Sequence, residues 1–358
     1  MAIPNAFDSP LATRSAVGAA LAAVIAGRAV RRRSLDASGG VAGFVVMAVH
    51  IACGYRYGAL LLAFFFSSSK VTKIGEDHKR RIEENFKEGG QRNWIQVLAN
   101  STIATVLVVI FALMTGGQDQ CMDSNGSKLI TGIIGGIIGH YCCCNGDTWS
   151  SEIGVLSNEQ PRLITSLKTP KSWACYPSSH IQIVYGIELT YKNKNRVITL
   201  RKLIRSITST SDFTPLHSKL FICELITVLL YKPVRKGTNG GVTLQGLLAA
   251  TGGGLIIGLT FVVVGLLTAE CSSDMAIRQL LVLPISAAAG LLGSLIDSLL
   301  GATLEFSGYC SVRKKVVSKR GPTVTKISGM TILDNDAVNA VSILLTTVLT
   351  AYVCIYIF

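Results

Sequence analysis

Apolar runs about as long as a bilayer is thick recur along this chain, and they constrain its fold more than any other feature. They cover residues 15–30, 40–66, 95–115, 128–145, 243–268, 277–302 and 337–357. About 20 consecutive apolar residues cross hydrocarbon as a helix, because every backbone N–H and C=O must then be satisfied within the segment. The 40–66 run holds Gly54, Tyr55, Arg56 and Tyr57 near its middle and reads as a two-helix hairpin. The expected fold is all-α: one Gly-rich, multipass membrane helical bundle over 1–358, with seven or eight transmembrane helices. A mean hydropathy of +0.46 with 15% charged residues excludes disorder. Ten cysteines in 358 residues, three of them adjacent, do not make a disulfide-stapled secreted domain.

The net charge of +13 is a matter of topology rather than of nucleic-acid binding. Cations crowd into the loops 67–94 and 303–336, whereas 116–127 has no Lys or Arg and 269–276 carries only Glu270 and Asp274. Basic loops stay cytosolic. The expected arrangement therefore puts 67–94, 146–242 and 303–336 inside and 116–127 and 269–276 outside. Arg31, Arg32 and Arg33 follow the first apolar run rather than preceding it, which reads as an uncleaved signal anchor. Asn125-Gly126-Ser127 is a glycosylation sequon in an expected outside loop, very close to a helix. Cys121 and Cys271 fall in the two outside loops, where pairing and independence are equally compatible with the sequence. Cys142, Cys143 and Cys144 read as buried small hydrophobes ahead of palmitoylation sites.

Three motifs carry chemistry. In Asn145-Gly146-Asp147-Thr148-Trp149-Ser150-Ser151-Glu152, acids and hydroxyls stand at the cytosolic end of a Gly-rich helix. Carboxylates at a membrane boundary are costly unless paired or liganded. If helix continues here, Asp147, Ser150 and Ser151 share a face, and Asp147 can hold Mg²⁺ against a nucleotide phosphate. The structural alternative is a helix cap at Asp147. In Lys232-Pro233-Val234-Arg235-Lys236-Gly237-Thr238-Asn239-Gly240-Gly241, cations and glycines precede a helix start and suggest a phosphate cradle; the alternative is an ordinary basic loop. The third, Ser67-Ser68-Ser69-Lys70-Val71-Thr72-Lys73 with Gly89-Gly90-Gln91-Arg92-Asn93 beyond it, offers hydroxyls and cations, or a basic loop for anionic headgroups. Asp297 within an apolar run and Glu305 just beyond it lie two turns apart, which suggests a polar site inside the bundle. Asn335, Asp336 and Asn339 open the last helix, where a cap accounts for Asn335 or Asp336. His78, His140 and His180 have no partners at metal-ligand spacing.

Together these motifs resemble the transmembrane protein nineteen-like family of integral membrane proteins, which includes plant phytyl-phosphate kinases and plant plasma-membrane regulators of glucose responses. The matching stretches are SLDASGGVAGFVV, SSSKVTKIGEDHKRRIEENFKEGGQRNWIQVLAN, GDTWSSEIGVLSNEQPRLIT, KPVRKGTNGGVTLQG and LDNDAVNAVS. The N-terminal stretch is not a Ser- and Arg-rich leader of plastid type, so the resemblance is nearer to the regulators. It implies a positive regulator of sugar responses, located in the plasma membrane ahead of an endomembrane or plastid. The alternative it implies is a kinase using CTP or another NTP with Mg²⁺ on an isoprenoid lipid phosphate. Asp147 and Glu152 would then be catalytic, Lys232, Arg235, Lys236 and Gly237–Gly241 would bind phosphate, and the lipid tail would lie between Gly-rich helices. A transporter of two Gly-rich halves around Asp297 is a weaker third reading.

The family's spacing runs almost directly from PRLIT into KPVRKGTNGG, whereas here 66 residues, 166–231, intervene. They hold one glycine, Gly186, of the chain's 35. We read this cytosolic interval as retained intron sequence translated in frame, or a gene-model error. Transcript reads joining the Thr165 codon directly to the Lys232 region are the expected result; abundant protein yielding 166–231 peptides would refute it.

Overall fold

The computed structural model describes residues 11–165 apart from 83 and 85, the backbone of 190–193 and 196–199, and residues 233–358. The anomalous interval 166–231 lies largely outside these residues, as does Lys232. The described chain falls into two compact units, 166–232 and the remainder. Within the smaller unit, β2 (Thr190–Asn193) pairs antiparallel with β3 (Arg196–Thr199).

The larger unit is a helical bundle. Its first half contains α1 (Leu11–Arg31), α2 (Ala37–Cys53), α3 (Tyr55–Thr72), α4 (Glu76–Ile82), α5 (Trp94–Ala99) and α6 (Thr102–Thr115). Its centre is α7 (Ser124–Gly154), and its second half contains α8 (Leu244–Thr268), α9 (Ser273–Arg278), α10 (Val282–Leu304) and α11 (Asn335–Ile357). Among the described residues, five segments are long and apolar enough to cross a membrane, and α2 and α6 are shorter apolar helices. The expected 40–66 hairpin is present, breaking at Gly54. The expected 95–115 span is instead broken at Asn100–Ser101: α5, started by the Asn93 capping box, ends at Ala99 and a separate α6 begins at Thr102. At 14 residues α6 is about 21 Å long, short of the roughly 30 Å of hydrocarbon.

The glycine content explains the bundle's centre. Helices that lack a water-driven hydrophobic force between them associate through close backbone approach, and small residues permit it. On α7, Gly132, Gly135, Gly136 and Gly139 present a cleared face to α11, and a Cβ on Gly139 would lie 2.5 Å from Thr350. A Cβ on Gly146 would lie 2.6 Å from the Gly290 carbonyl of α10. One on Gly254 of α8 would collide with the Ser286 carbonyl. Cys142, Cys143 and Cys144 are all buried in this packing, as expected from their sequence.

The two ends of the bundle sort as the loop charges require. At one end the basic loops meet: Arg313 pairs with Glu84 at 2.5 Å, and Lys315 donates to the Arg80 carbonyl. At the other, Cys121 and Cys271 form a disulfide, and the buried Arg56 bonds Asp119 at 3.1 Å while stacking on Phe261.

Short β-structure interrupts the all-α expectation at the basic end. β5 (Ser307–Cys310) pairs with both β6 (Lys315–Val317) and β7 (Val324–Ser328). More telling is β1 (Arg162–Leu163), which pairs with β4 (Gly241–Val242), with a further bridge from Arg162 to Pro233. The chain thus leaves the unit after Thr165 and is back in the same ladder at Pro233. A short connection would close this ladder, so nothing in its pairing calls for 66 intervening residues.

Candidate functional site

The last two turns of α7 form one wall of a polar cavity of about 490 Å³ at the basic end. The GDTWSSE segment is helical, as α7 runs to Gly154. Asp147 is therefore mid-helix rather than a cap, and with Ser150, Ser151 and Glu152 it lines the cavity. From α10 come Asp297, Ser298 and Gly301, followed by Glu305. From α11 come Asn335, Asp336, Asn339 and Ser342. The Gly237–Gly241 loop closes another side, and Arg92, Gln96 and Asn100 stand opposite.

Local structure fixes each group. Ser294 hydrogen-bonds Asp147, and Ser342 Oγ donates to Asp297 Oδ2 at 3.0 Å. Glu152 forms an ion pair with Lys79 at 2.6 Å. Lys79 is only 1% exposed and also donates to the Val71 and Thr72 carbonyls. Glu152 is thereby neutralised and held in place. At the start of α11 the cap is Asp334, whose carboxylate accepts from Ala337 N at 2.9 Å. Asn335 and Asp336 are thus not the caps the sequence suggests; both line the cavity.

The glycine loop contributes shape more than amide donors. Gly237 and Gly240 have φ of 82° and 77°, a region that L side chains enter at a cost. A Cβ on Gly240 would also lie 2.6 Å from the Ser298 carbonyl. The N–H groups of Thr238, Asn239 and Gly241 are already given to Arg235 O, Ser307 Oγ and Thr238 O. What the loop does offer is the Thr238 hydroxyl: the residue is 6% exposed, and its Oγ has no partner among the described residues. The loop ends in Thr243, which caps α8 by accepting from Gly246 N.

The cations lie elsewhere than the glycine motif suggests. Arg235 is exposed and stacks on Tyr309 at 3.8 Å, and Lys236 is not among the residues lining the cavity. Lys70 is exposed, and Lys73 donates to the Arg32 carbonyl. Ser69 accepts from Arg92 Nη1 at 3.2 Å and so steadies the guanidinium that does line the cavity. A second cavity of about 740 Å³, lined by Lys79, Lys87 and Gly90, shares Arg92, Asn239, Glu305 and Asp336 with the first. Neither Lys79, Gln96 nor Asn100 stands out in the sequence. Arg92 does sit within the GGQRN stretch, which was legible as a motif.

Charge balance indicates what the cavity holds. Asp147, Asp297, Glu305 and Asp336 line it, and none of the four has an ion pair among the described residues. Glu305 is buried and the other three are half-buried, and uncompensated carboxylates drawn together away from bulk water call for a cation or a proton. No group of three or more His, Cys, Asp or Glu among the described residues converges on one metal position. One or two carboxylates with hydroxyls and substrate oxygens is, however, the usual donor set for Mg²⁺, and Asp147, Asp297 and the orphaned Thr238 hydroxyl fit it.

Glu305 takes the proton route. Burial, with the nearby carboxylates of Asp297, Asp334 and Asp336, lifts it from 4.5 to about 7 against an opposing hydrogen bond from Asn239. A raised carboxyl stabilises the fold fully below about 4.5 and loses that contribution as pH rises through about 7. In chelator-containing detergent, the melting temperature of the native chain is expected to fall relative to Glu305→Gln between pH 5 and pH 8. Parallel pH profiles for the two would count against it.

Comparison with known proteins agrees with this membrane architecture. A family model described as "Integral membrane protein DUF92" matches residues 20–172 and 221–347. Protein PGR of Arabidopsis thaliana is 53% identical over 338 residues, 94% of this chain and 95% of that protein. An uncharacterized membrane protein of Methanocaldococcus jannaschii is 31% identical over 147 residues, 38% of this chain and 51% of that protein. No solved structure matches.

Proposed function

The chain belongs to the DUF92 family of integral membrane proteins, and from that premise we propose that it is a Mg²⁺- and nucleotide-dependent phosphotransferase acting on a prenyl monophosphate in the bilayer. The observation that carries this reading is the convergence of Asp147, Asp297, the unpartnered Thr238 hydroxyl and Arg92 on one cavity at the end of the transmembrane helices. Phosphoryl transfer needs positioning and charge neutralisation more than covalent chemistry from the protein. When bound, Mg²⁺ would neutralise charge on the transferring phosphoryl oxygens.

The side chains then divide the work. Asp147 and Asp297 supply the carboxylate oxygens for the ion. Arg92 supplies a fixed planar donor for a phosphate. Thr238 adds a hydroxyl, and the Lys79–Glu152 pair holds the end of α7 against the first cytosolic loop. The donor is CTP or another NTP.

The second reading, a positive regulator of sugar responses in the plasma membrane, is supported by the family resemblance of the sequence motifs and by no feature of the cavity. A lipid kinase that affects sugar responses indirectly would satisfy both. The test is transfer of radiolabel from CTP and ATP to prenyl monophosphates by membranes carrying this chain, a version lacking 166–231, or Asp147→Asn. Product from the shortened form that disappears in Asp147→Asn is expected. No product from any correctly inserted form would leave the regulatory reading in its place.

A further inference from the structure

The second polar cavity, of about 740 Å³, is larger than the first and has no role in the site built above. Much of its wall comes from loops of the basic end, outside the candidate membrane spans. Arg313 pairs with Glu84, Ser318 N donates to Glu84 Oε2 at 3.2 Å, and Lys315 donates to the Arg80 carbonyl. These bonds clasp the 67–94 loop to the 303–336 loop, and Ile82, Phe86, Val316 and Val317 of the clasped stretches line the cavity. Arg92, Gln96, Asn239, Glu305, Asn335 and Asp336 line both cavities, so a ligand in one lies against the same wall as a ligand in the other.

The walls of this cavity divide by chemistry. Glu152 is taken up by Lys79 and Glu84 by Arg313, while Glu76 accepts from Gly89 N. Two lining cations, Lys87 and Arg92, have no ion pair among the described residues. Together they suit phosphate oxygens, and Ser69 steadies the guanidinium. Glu305 and Asp336 stand on the wall shared with the cavity of Asp147 and Asp297, which favours a phosphate that carries a divalent cation over a bare anion. Ile82, Phe86, Val316 and Val317 make the apolar part, with an aromatic ring on which a planar base can stack.

We infer that this cavity seats a metal-chelated nucleoside polyphosphate, its phosphates at Arg92 and Lys87 and its base against Phe86, Val316 and Val317. Its volume lies within the range of small-molecule sites, and an inorganic phosphate would leave the apolar wall unused. A hydrocarbon tail would lie among loops rather than against lipid, so the occupant is water-soluble. The inference rests on the phosphotransferase reading and adds the place where the donor binds.

The test is equilibrium binding of radiolabelled CTP and ATP to the full-length chain in detergent with Mg²⁺, with inorganic tripolyphosphate and dodecyl phosphate as competitors. Nucleotide binding is expected, is lost in chelator, and is displaced by excess tripolyphosphate but not by dodecyl phosphate. Lys87→Ala should weaken nucleotide and tripolyphosphate alike by about tenfold, through loss of one charge-assisted contact, and Lys87→Arg should restore both. Phe86→Ala should weaken the nucleotide by about tenfold through loss of its stacking partner and leave tripolyphosphate unchanged, a difference that misfolding does not produce. No nucleotide binding, or binding unmoved by both alanine variants, would overturn the inference. So would tripolyphosphate that binds as tightly as the nucleotides, which makes the cavity an anion site alone. Displacement by dodecyl phosphate would overturn it in favour of a lipid phosphate. Binding and transfer are separate readouts: nucleotide binding that responds to both variants, without transfer to any acceptor, would sink the enzyme reading alone. Transfer by a chain whose nucleotide affinity neither variant moves would sink this site alone.

Discussion

Replacing Asp147 with Asn is expected to lower metal-dependent phosphoryl transfer by about a thousandfold while the protein folds and inserts normally. The substitution keeps the size of the side chain and a hydrogen-bonding partner for Ser294. It removes one negative charge from a cavity in which four carboxylates lack ion pairs among the described residues. Folding should therefore be unharmed or slightly favoured, because an unpaired, half-buried charge beside other carboxylates is a cost that the native chain carries for the sake of its ligand. Opposite effects on activity and melting temperature are the signature to look for. Glu88→Gln is the matched control: Glu88 is exposed, pairs with Arg33, and lines neither polar cavity. Full transfer by Asp147→Asn would end the assignment of this carboxylate to the metal. Persistence of a sugar response in cells carrying only Asp147→Asn would show that regulation does not pass through the cavity's chemistry.

The largest effect on stability is expected from a single methyl group. Gly254→Ala should destabilise the bundle by on the order of 3 kcal/mol, because the new Cβ would collide with the Ser286 carbonyl and lie 3.1 Å from Gly290 Cα. Both obstacles are backbone, so no rotamer change relieves them and α8 must move away from α10. Gly252→Ala, two residues earlier on the same helix, meets nothing closer than Trp149 at 3.8 Å. It is expected to be neutral or stabilising by up to about 1 kcal/mol through helix propensity. Thermal unfolding of the two variants in detergent compares them directly. Similar melting temperatures would mean that α8 and α10 are not held at the separation described.

The sequence by itself determined the class of fold and the sorting of its loops. Apolar length and backbone hydrogen bonding force membrane helices wherever about 20 apolar residues run together. The cations of 67–94 and 303–336 against the absence of Lys and Arg from 116–127 separate the two ends, and the Arg313–Glu84 pair and the Cys121–Cys271 bond lie where that separation requires. Asp147, Ser150 and Ser151 were legible as one helical face because helical period is a local property. The break of the 95–115 run was signalled only weakly, by the polar triplet Asn100-Ser101-Thr102 inside an apolar context.

Only the tertiary structure decided which groups share a cavity and which cations face it. Arg235 and Lys79 are equally plausible phosphate ligands as residues in basic loops. Packing alone turns the first onto Tyr309 and buries the second against Glu152. The same holds for the glycines, whose spacing permits close approach without stating which helix arrives. Between α7, α8 and α10 they close the space to backbone contact. Sequence carries periodicity, length and charge, which are local quantities. The convergence of Asp147, Asp297, Thr238 and Arg92 depends on crossing points between distant helices, and those are fixed by the fit of surfaces that no single segment contains.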